Sequence, residues 1–359
     1  MSRGPGSSLE VDDFDSQRKR KAESLIELYY RNVAEMAVIS VHPLILYIPI
    51  DVDIAGFVSN YRLLFDSLRS QKAHIVCPTY WYFEKRKHID RLQNVIDDFK
   101  ITYPDLTFTF LSNTSEQHHL FREEKLNSYF CNHNCMVDER IFCPLPRAEK
   151  RFDAVYDARF DEWKRHGLAA GIDSLGLIYH RAPALEDSSY VDKIKHDLAH
   201  AKFFNHSETG EYHILSPHQV NNALNQCRVG LCLSAEEGAM FASVQYMLAG
   251  LPVVTTPSLG GRDVFFDDEI AITVEPTPEA VANGVREMIG RDLEPHYVRA
   301  KTVERVLSHR NRFIELVQKI YDGESVERDF ADEFNKRFTN KLLTRVNLKS
   351  VIQLLQQTT

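Results

Sequence analysis

Apolar residues alternate between two rhythms along the chain, and the alternation runs through twice. Helical spacing over residues 24–36 precedes an apolar run at 44–50 that predicts a strand, followed by a helix at 54–69 and a strand at 73–77. A helix at 84–99 and a strand at 106–111 complete the first run. After Pro144-Leu145-Pro146 the pattern starts afresh, with strands predicted at 152–157, 175–179, 212–215, 229–233 and 252–255. Helices predicted at 161–170, 187–201, 217–227 and 238–249 separate them. Beyond residue 278 the spacing is helical almost throughout, and 340–356 is amphipathic. Strands alternating with helices of this length indicate parallel sheets built from β-α-β units. The expected fold class is therefore α/β, with two Rossmann-like, doubly wound domains facing across a cleft. The expected layout is a flexible polar tail (1–23), a short first domain (24–146), a second domain (147–330), and C-terminal amphipathic helices (331–359) packing back on the first domain.

Length agrees with two domains, since 359 residues exceed what one core ordinarily fills. With 43% hydrophobic and 26% charged residues the composition is that of an ordinary globular protein. A formal net charge of -8 argues against nucleic acid as a partner, because phosphate neutralisation needs a basic surface. The longest apolar run, at 43–50, is far shorter than the roughly 20 residues of a membrane-spanning helix, so no transmembrane segment is expected. The polar start lacks the apolar stretch of a secretory signal, and the expected location is cytoplasmic. There the sequon Asn205-His206-Ser207 has no use. Six cysteines without a C-x-x-C pair suit neither a zinc site nor a disulfide framework and read as reduced, mostly buried thiols.

The densest chemistry lies in Ser234-Ala235-Glu236-Glu237-Gly238-Ala239-Met240, followed by Gln245-Tyr246-Met247-Leu248-Ala249-Gly250-Leu251-Pro252-Val253-Val254 and then Gly260-Gly261. A carboxylate just before a helix, followed by glycine, sets an acceptor beside exposed backbone N–H donors and the positive end of the helix dipole. Sugar hydroxyls and diphosphate oxygens can be held together there, although Ser234 or Glu237 could equally serve as a helix cap. A second cluster, Tyr156-Asp157-Ala158-Arg159-Phe160-Asp161-Glu162-Trp163-Lys164, places two cations five positions apart at a strand-to-helix turn. Such cations suit an anion that gains charge as a bond breaks, or simply a solvated surface helix.

These segments, with Asn134-Cys135-Met136-Val137-Asp138 and Phe142-Cys143-Pro144 before them, closely resemble the donor half of the group 1 glycosyltransferases. That resemblance spans residues 134–261 and implies the GT-B architecture and a nucleoside diphosphate sugar as donor substrate. By the same resemblance, Arg159 and Lys164 neutralise the diphosphate, while Glu237 with the N–H groups of Gly238, Ala239 and Met240 holds the sugar. Leu215 belongs to the nucleotide-binding set, and Gln245 faces the ribose where the family usually carries a second glutamate. A glutamine there loses the charge-assisted hydrogen bonds and implies weaker or altered nucleotide binding. Ala158 stands where the family has glycine. The expected reaction is sugar transfer to an acceptor hydroxyl of a glycan, lipid or small molecule. Retention is expected at the anomeric carbon, with no metal and no cofactor beyond the donor.

The first domain offers less. Asp51 and Asp53 follow a strand where an acceptor hydroxyl could meet a base, or are solvated turn residues. His118 and His119 could touch the donor sugar or stand idle on the surface, Arg262-Asp263 could line the cleft or pair with each other, and Glu236 reads as a solvated neighbour of Glu237. Two other readings stay open: a degenerate fold that binds sugar nucleotides or a partner without turnover, and an epimerase or phosphorylase on the same scaffold.

Overall fold

The computed structural model describes residues 33–181 and 188–358. Two six-stranded sheets organise the chain. The first contains β1 (Val33–Val41), β2 (Leu44–Tyr47), β3 (Ala73–Pro78), β4 (Leu106–Ser112) and β5 (Ser128–Phe130). Helices α1 (Ile54–Ser67), α2 (Arg86–Thr102) and α3 (Ser115–Glu123) connect the strands from β2 onward. β2 to β5 are parallel, and β1 is antiparallel to β2. Residues Leu44, Ile45, Leu46 and Tyr47 are all buried, as expected of a strand covered on both faces. One covering layer is aromatic: Phe65 meets Phe99 at 5.3 Å and Phe108 at 5.9 Å between ring centres.

The second sheet is wholly parallel, in the order β11-β10-β9-β6-β7-β8. Its strands are β6 (Phe152–Asp157), β7 (Leu175–Ile178), β8 (Lys202–Phe203), β9 (Cys227–Cys232), β10 (Val253–Thr255) and β11 (Ala271–Thr273). Helices α4 (Ser188–Asp197), α5 (Pro217–Asn225), α6 (Phe241–Leu248) and α7 (Pro278–Gly290) join them. α5 starts with a full capping box, Ser216 with Gln219.

A helix of 29 residues, α8 (Pro295–Gly323), then spans both sheets. Its Arg299 donates to the carbonyls of Phe142 and Leu248 at 2.6 and 2.9 Å, and its Phe313 ring packs 5.8 Å from Tyr47 of β2. Glu324, just beyond its end, pairs with Lys72 and His74 of the first sheet. After α9 (Phe330–Arg337) the chain returns through β12 (Thr344–Asn347), antiparallel to β1, and α10 (Leu348–Thr358). Leu348, Val351 and Leu355 join the core of the first sheet.

Several local expectations are corrected. The helical spacing of 24–36 fails from Val33, where β1 begins; residues 24–32 lie outside the described part, as does the tail. The apparent amphipathic helix at 340–356 contains β12, because the alternating Thr344-Arg345-Val346-Asn347 matches the edge of β1. The predicted helix at 161–170 is two 3-10 turns, Glu162–Lys164 and His166–Ala169, interrupted by Arg165 at φ 53°. No strand covers 212–215; Tyr212 makes one isolated bridge to His206. β5, α3 and β11 escape the apolar pattern because they are short or polar on one side. The six cysteines are free thiols, five of them buried. No helix among the described residues is long and apolar enough to cross a membrane.

Candidate functional site

The segment between β9 and α6 crosses the carboxyl ends of the second sheet, where open parallel sheets bind ligands. Its course is set by Arg262, which is fully buried. The guanidinium donates to the carbonyls of Cys232 and Ser234, both at 2.9 Å, and to Thr255 Oγ1 and the Thr256 carbonyl, both at 2.6 Å. It also pairs with Asp263 at 2.6 Å, so the adjacent pair reads as an internal clamp on the loop. A second strap is Leu259: the Glu237 N–H donates to its carbonyl at 2.9 Å, and its own N–H donates to Ala235 at 3.0 Å. Gly260 follows at φ 96°, and a Cβ there would lie 1.7 Å from the Glu237 carbonyl oxygen, so only glycine lets the strap close. Gly260 thus serves Glu237 directly, and the Gly261 N–H donates to the Gly238 carbonyl at 2.8 Å.

The Glu237 carboxylate so positioned forms an ion pair with the Lys164 ammonium, and the two side chains are only 7% and 12% exposed. Lys164 arrives from the opposite side: its carbonyl accepts the Tyr156 hydroxyl at 2.7 Å, and Arg165 ties the same turn to Leu233 and Thr256. Arg159 is held apart, paired with Asp161 at 2.8 Å and 5.9 Å from the Trp163 ring. The structure therefore joins Lys164 to Glu237 and gives Arg159 a separate partner.

The first domain presses on this loop. A Cβ on Gly238 would lie 2.6 Å from the backbone of Tyr80 and Trp81. Trp81 meets Trp163 edge-on at 5.6 Å, and Lys85 pairs with Glu236 at 2.6 Å, which makes Glu236 an interdomain tie and not a solvated neighbour. The His133 ring sits 4.6 Å from Tyr80 and 4.9 Å from Phe241, and burial pushes its pKa down to about 3, so it is neutral. Asn134 donates to the Met240 carbonyl at 3.0 Å, and Ala239 and Met240 are buried. Trp163 Nε1, Ser234 Oγ and His133 Nδ1 are buried without a hydrogen-bond partner among the described residues, an unusual group of orphans at one seam.

Gln245 and Leu215 come together elsewhere, in a cavity of 220 Å³ lined also by Asp157, Tyr179, Asn205 and Lys341. Burial raises the Asp157 carboxyl to about 6, against the pull of Lys341 and Lys164. Burial likewise lowers Lys341, while Asp157 and Glu35 favour its charge. Neither residue was legible as a site residue: Asp157 ends a strand, and Lys341 lies in a segment with helical spacing. An unfolded aspartate titrates near 3.9, so between about pH 4 and 6 the folded protein holds more protons than the unfolded chain. Stability therefore falls as pH rises through that window. Asp157→Asn is expected to raise the melting temperature at pH 7.5 by about 2–5 °C and to match the unsubstituted protein below pH 4, checked by thermal melts at both values.

A larger cavity of 610 Å³ opens in the first domain beside Glu35, Asp51, Asp53, Asn60, Tyr61 and Arg345. Asp53 also caps α1, accepting from Gly56 at 3.0 Å, and Asp51 accepts the Asp53 N–H at 2.7 Å. His118 bonds Ser128 at 3.0 Å, His119 is exposed, and neither lines the two cavities.

Comparison with known proteins bears on the fold. Residues 194–291 match the family described as glycosyl transferases group 1. A search of curated protein sequences returns no match. Among solved structures, sucrose-phosphate synthase from Thermosynechococcus elongatus is similar at 12% identity, over 77% of this chain and 74% of that one, with a TM-score of 0.56. Anabaena HepE in complex with UDP-glucose is similar at 14% identity over 74% of each chain, TM-score 0.51. A glycosyltransferase from Rickettsia africae aligns over 91% of this chain and 85% of its own, at 12% identity and TM-score 0.51. The chain thus has the GT-B fold, two Rossmann-like α/β domains, and residues 194–291 within its second domain are similar to the group 1 glycosyltransferases.

Proposed function

We propose that the protein transfers a hexose-like unit from a nucleoside diphosphate sugar to an acceptor hydroxyl, with retention and without metal. The buried Lys164–Glu237 pair at the approach to α6 is the observation that carries this reading. In it Glu237 accepts from sugar hydroxyls, the N–H groups of Gly238, Ala239 and Met240 face the donor, and Gln245 and Leu215 hold the nucleoside in the 220 Å³ cavity. Lys164 and Arg159 take the leaving diphosphate, exchanging Glu237 and Asp161 for phosphate oxygens, a substitution of one anion by another that costs little reorganisation. These two cations supply the charge that a metal provides in other sites. The acceptor, a glycan or lipid-linked sugar, enters from the first domain, where the 610 Å³ cavity presents carboxylates and an amide suited to hydroxyls.

Because Tyr80 and Trp81 abut Gly238, donor entry in this reading requires the domains to part, breaking the Lys85–Glu236 and Trp81–Trp163 contacts. Turnover is tested with a panel of sugar nucleotides in EDTA. Unsubstituted protein is expected to be unaffected by EDTA, and Arg159→Ala/Lys164→Ala to lose about 100-fold or more in turnover. Undiminished turnover in the double variant would sink the assignment. The second reading, binding without turnover, is favoured by the uncharged Gln245; nucleoside diphosphate binding with neither transfer nor hydrolysis would support it.

A further inference from the structure

The two cations assigned to the diphosphate each have a carboxylate already, while a third cation, at the 220 Å³ cavity, has none among the described residues. Lys341 lines the cavity that holds Gln245, Leu215 and Asp157. Its ammonium lies 4.5 Å from the ring centre of Phe241, the first residue of α6, which places it at the positive end of that helix. Among the described residues no carboxylate comes within ion-pair distance of it. Glu35, which lines the larger first-domain cavity, and Asp157, which lines the smaller one with Lys341, both favour its charged form.

Its backbone is built for this placement. The Lys341 N–H donates to the Met136 carbonyl at 2.7 Å, and Asn340 accepts from the Asp138 N–H at 3.0 Å, fixing the turn to the segment that joins the domains. Lys341 and Leu342 are both left-handed, at φ 67° and 58°. Two successive non-glycine residues in that region are unfavourable, and the turn that imposes them directs one lysine at the mouth of a cavity. A largely buried ammonium without a counter-ion loses solvation that a bound anion restores.

We propose that Lys341 is a third cation, beside Lys164 and Arg159, that contacts the diphosphate of the nucleotide whose nucleoside occupies the 220 Å³ cavity. This rests on the nucleotide-sugar reading above and goes beyond it, by adding to those two cations a residue from the returning C-terminal segment. Lys341 lines the same cavity as Leu215 and Gln245 while its ammonium reaches Phe241 at the start of α6, so a phosphate group projecting from that cavity toward α6 meets it. Since the segment continues directly into β12 of the first sheet, the same contact couples diphosphate binding to the position of the first domain.

The test measures by calorimetry the affinities of ADP, GDP, UDP and CDP and of the matching nucleosides for the unsubstituted protein, Lys341→Met and Lys341→Arg. For the preferred diphosphate, Lys341→Met is expected to weaken binding about 10- to 100-fold, to leave the nucleoside within about twofold, and Lys341→Arg to restore most of the loss. Equal diphosphate affinity in Lys341→Met overturns the inference, and so does a parallel loss of nucleoside affinity, which would show that the side chain only shapes the cavity. Binding of no diphosphate by the unsubstituted protein overturns the nucleotide reading itself. A second measurement needs no variant: saturating diphosphate is expected to slow acylation of Lys341 by an amine-reactive ester about tenfold, read by mass spectrometry, and an unchanged rate again overturns it.

Discussion

Glu237→Ala is expected to lower sugar-nucleotide turnover by about 100- to 1,000-fold, the usual cost of removing one group that contacts the reacting substrate in a water-poor site. The expectation follows from where the carboxylate sits. Two strap bonds fix its backbone, and its side chain is 7% exposed against Lys164. The substitution also leaves that lysine buried without its partner, a defect typically worth about 3–5 kcal/mol, so a loss of activity must be separated from a loss of folding. Glu237→Gln separates them, since the amide fills the same space and still accepts from the ammonium through its carbonyl. The reading predicts that Glu237→Gln melts within a few degrees of the unsubstituted protein yet remains at least about tenfold slower. A Gln variant as fast as the unsubstituted protein would reduce Glu237 to a structural partner of Lys164.

Arg262→Met is expected to destabilise the protein by about 3–5 kcal/mol, measured from the shift of the denaturation midpoint. The guanidinium is buried and satisfies four acceptors at the ends of β9 and β10, and methionine fills its volume while satisfying none of them. Asp263→Asn removes the opposite end of the same ion pair, but that side chain is 40% exposed, and the expected cost is below about 1 kcal/mol. The contrast between neighbours tests whether Arg262 acts through the loop or through its salt bridge. Equal effects would contradict the clamp described above.

Most of the second domain was legible because its parallel strands are buried on both faces and read as apolar runs bounded by turns; β6 falls where the pattern puts it. The errors have local causes. The cluster from Asp161 to Ala170 has the composition of a helix, but the chain must bring Lys164 to Glu237 and turn Arg165 inward, and a left-handed Arg165 does both. β12 was hidden because an edge strand of four residues adjoining a helix adds little to a periodic signal. Lys164 and Glu237 were marked by the resemblance to the group 1 glycosyltransferases, and Gln245 and Leu215, marked the same way, line one cavity. Lys341 was out of reach, since it enters from some hundred residues downstream of Gln245 in the chain and only the returning segment brings it there. Interdomain partners such as Lys85, Trp81 and His133 were equally invisible, because nothing local marks a residue that meets its partner across a cleft.

Supplying UDP-, GDP-, ADP- and CDP-activated sugars and measuring release of the nucleoside diphosphate tests sugar transfer at the Glu237 loop. The unsubstituted protein is expected to release nucleoside diphosphate from at least one donor, and release is expected to fall about 100-fold or more in Glu237→Ala. Release from none of them, or release that Glu237→Ala leaves unchanged, would contradict it.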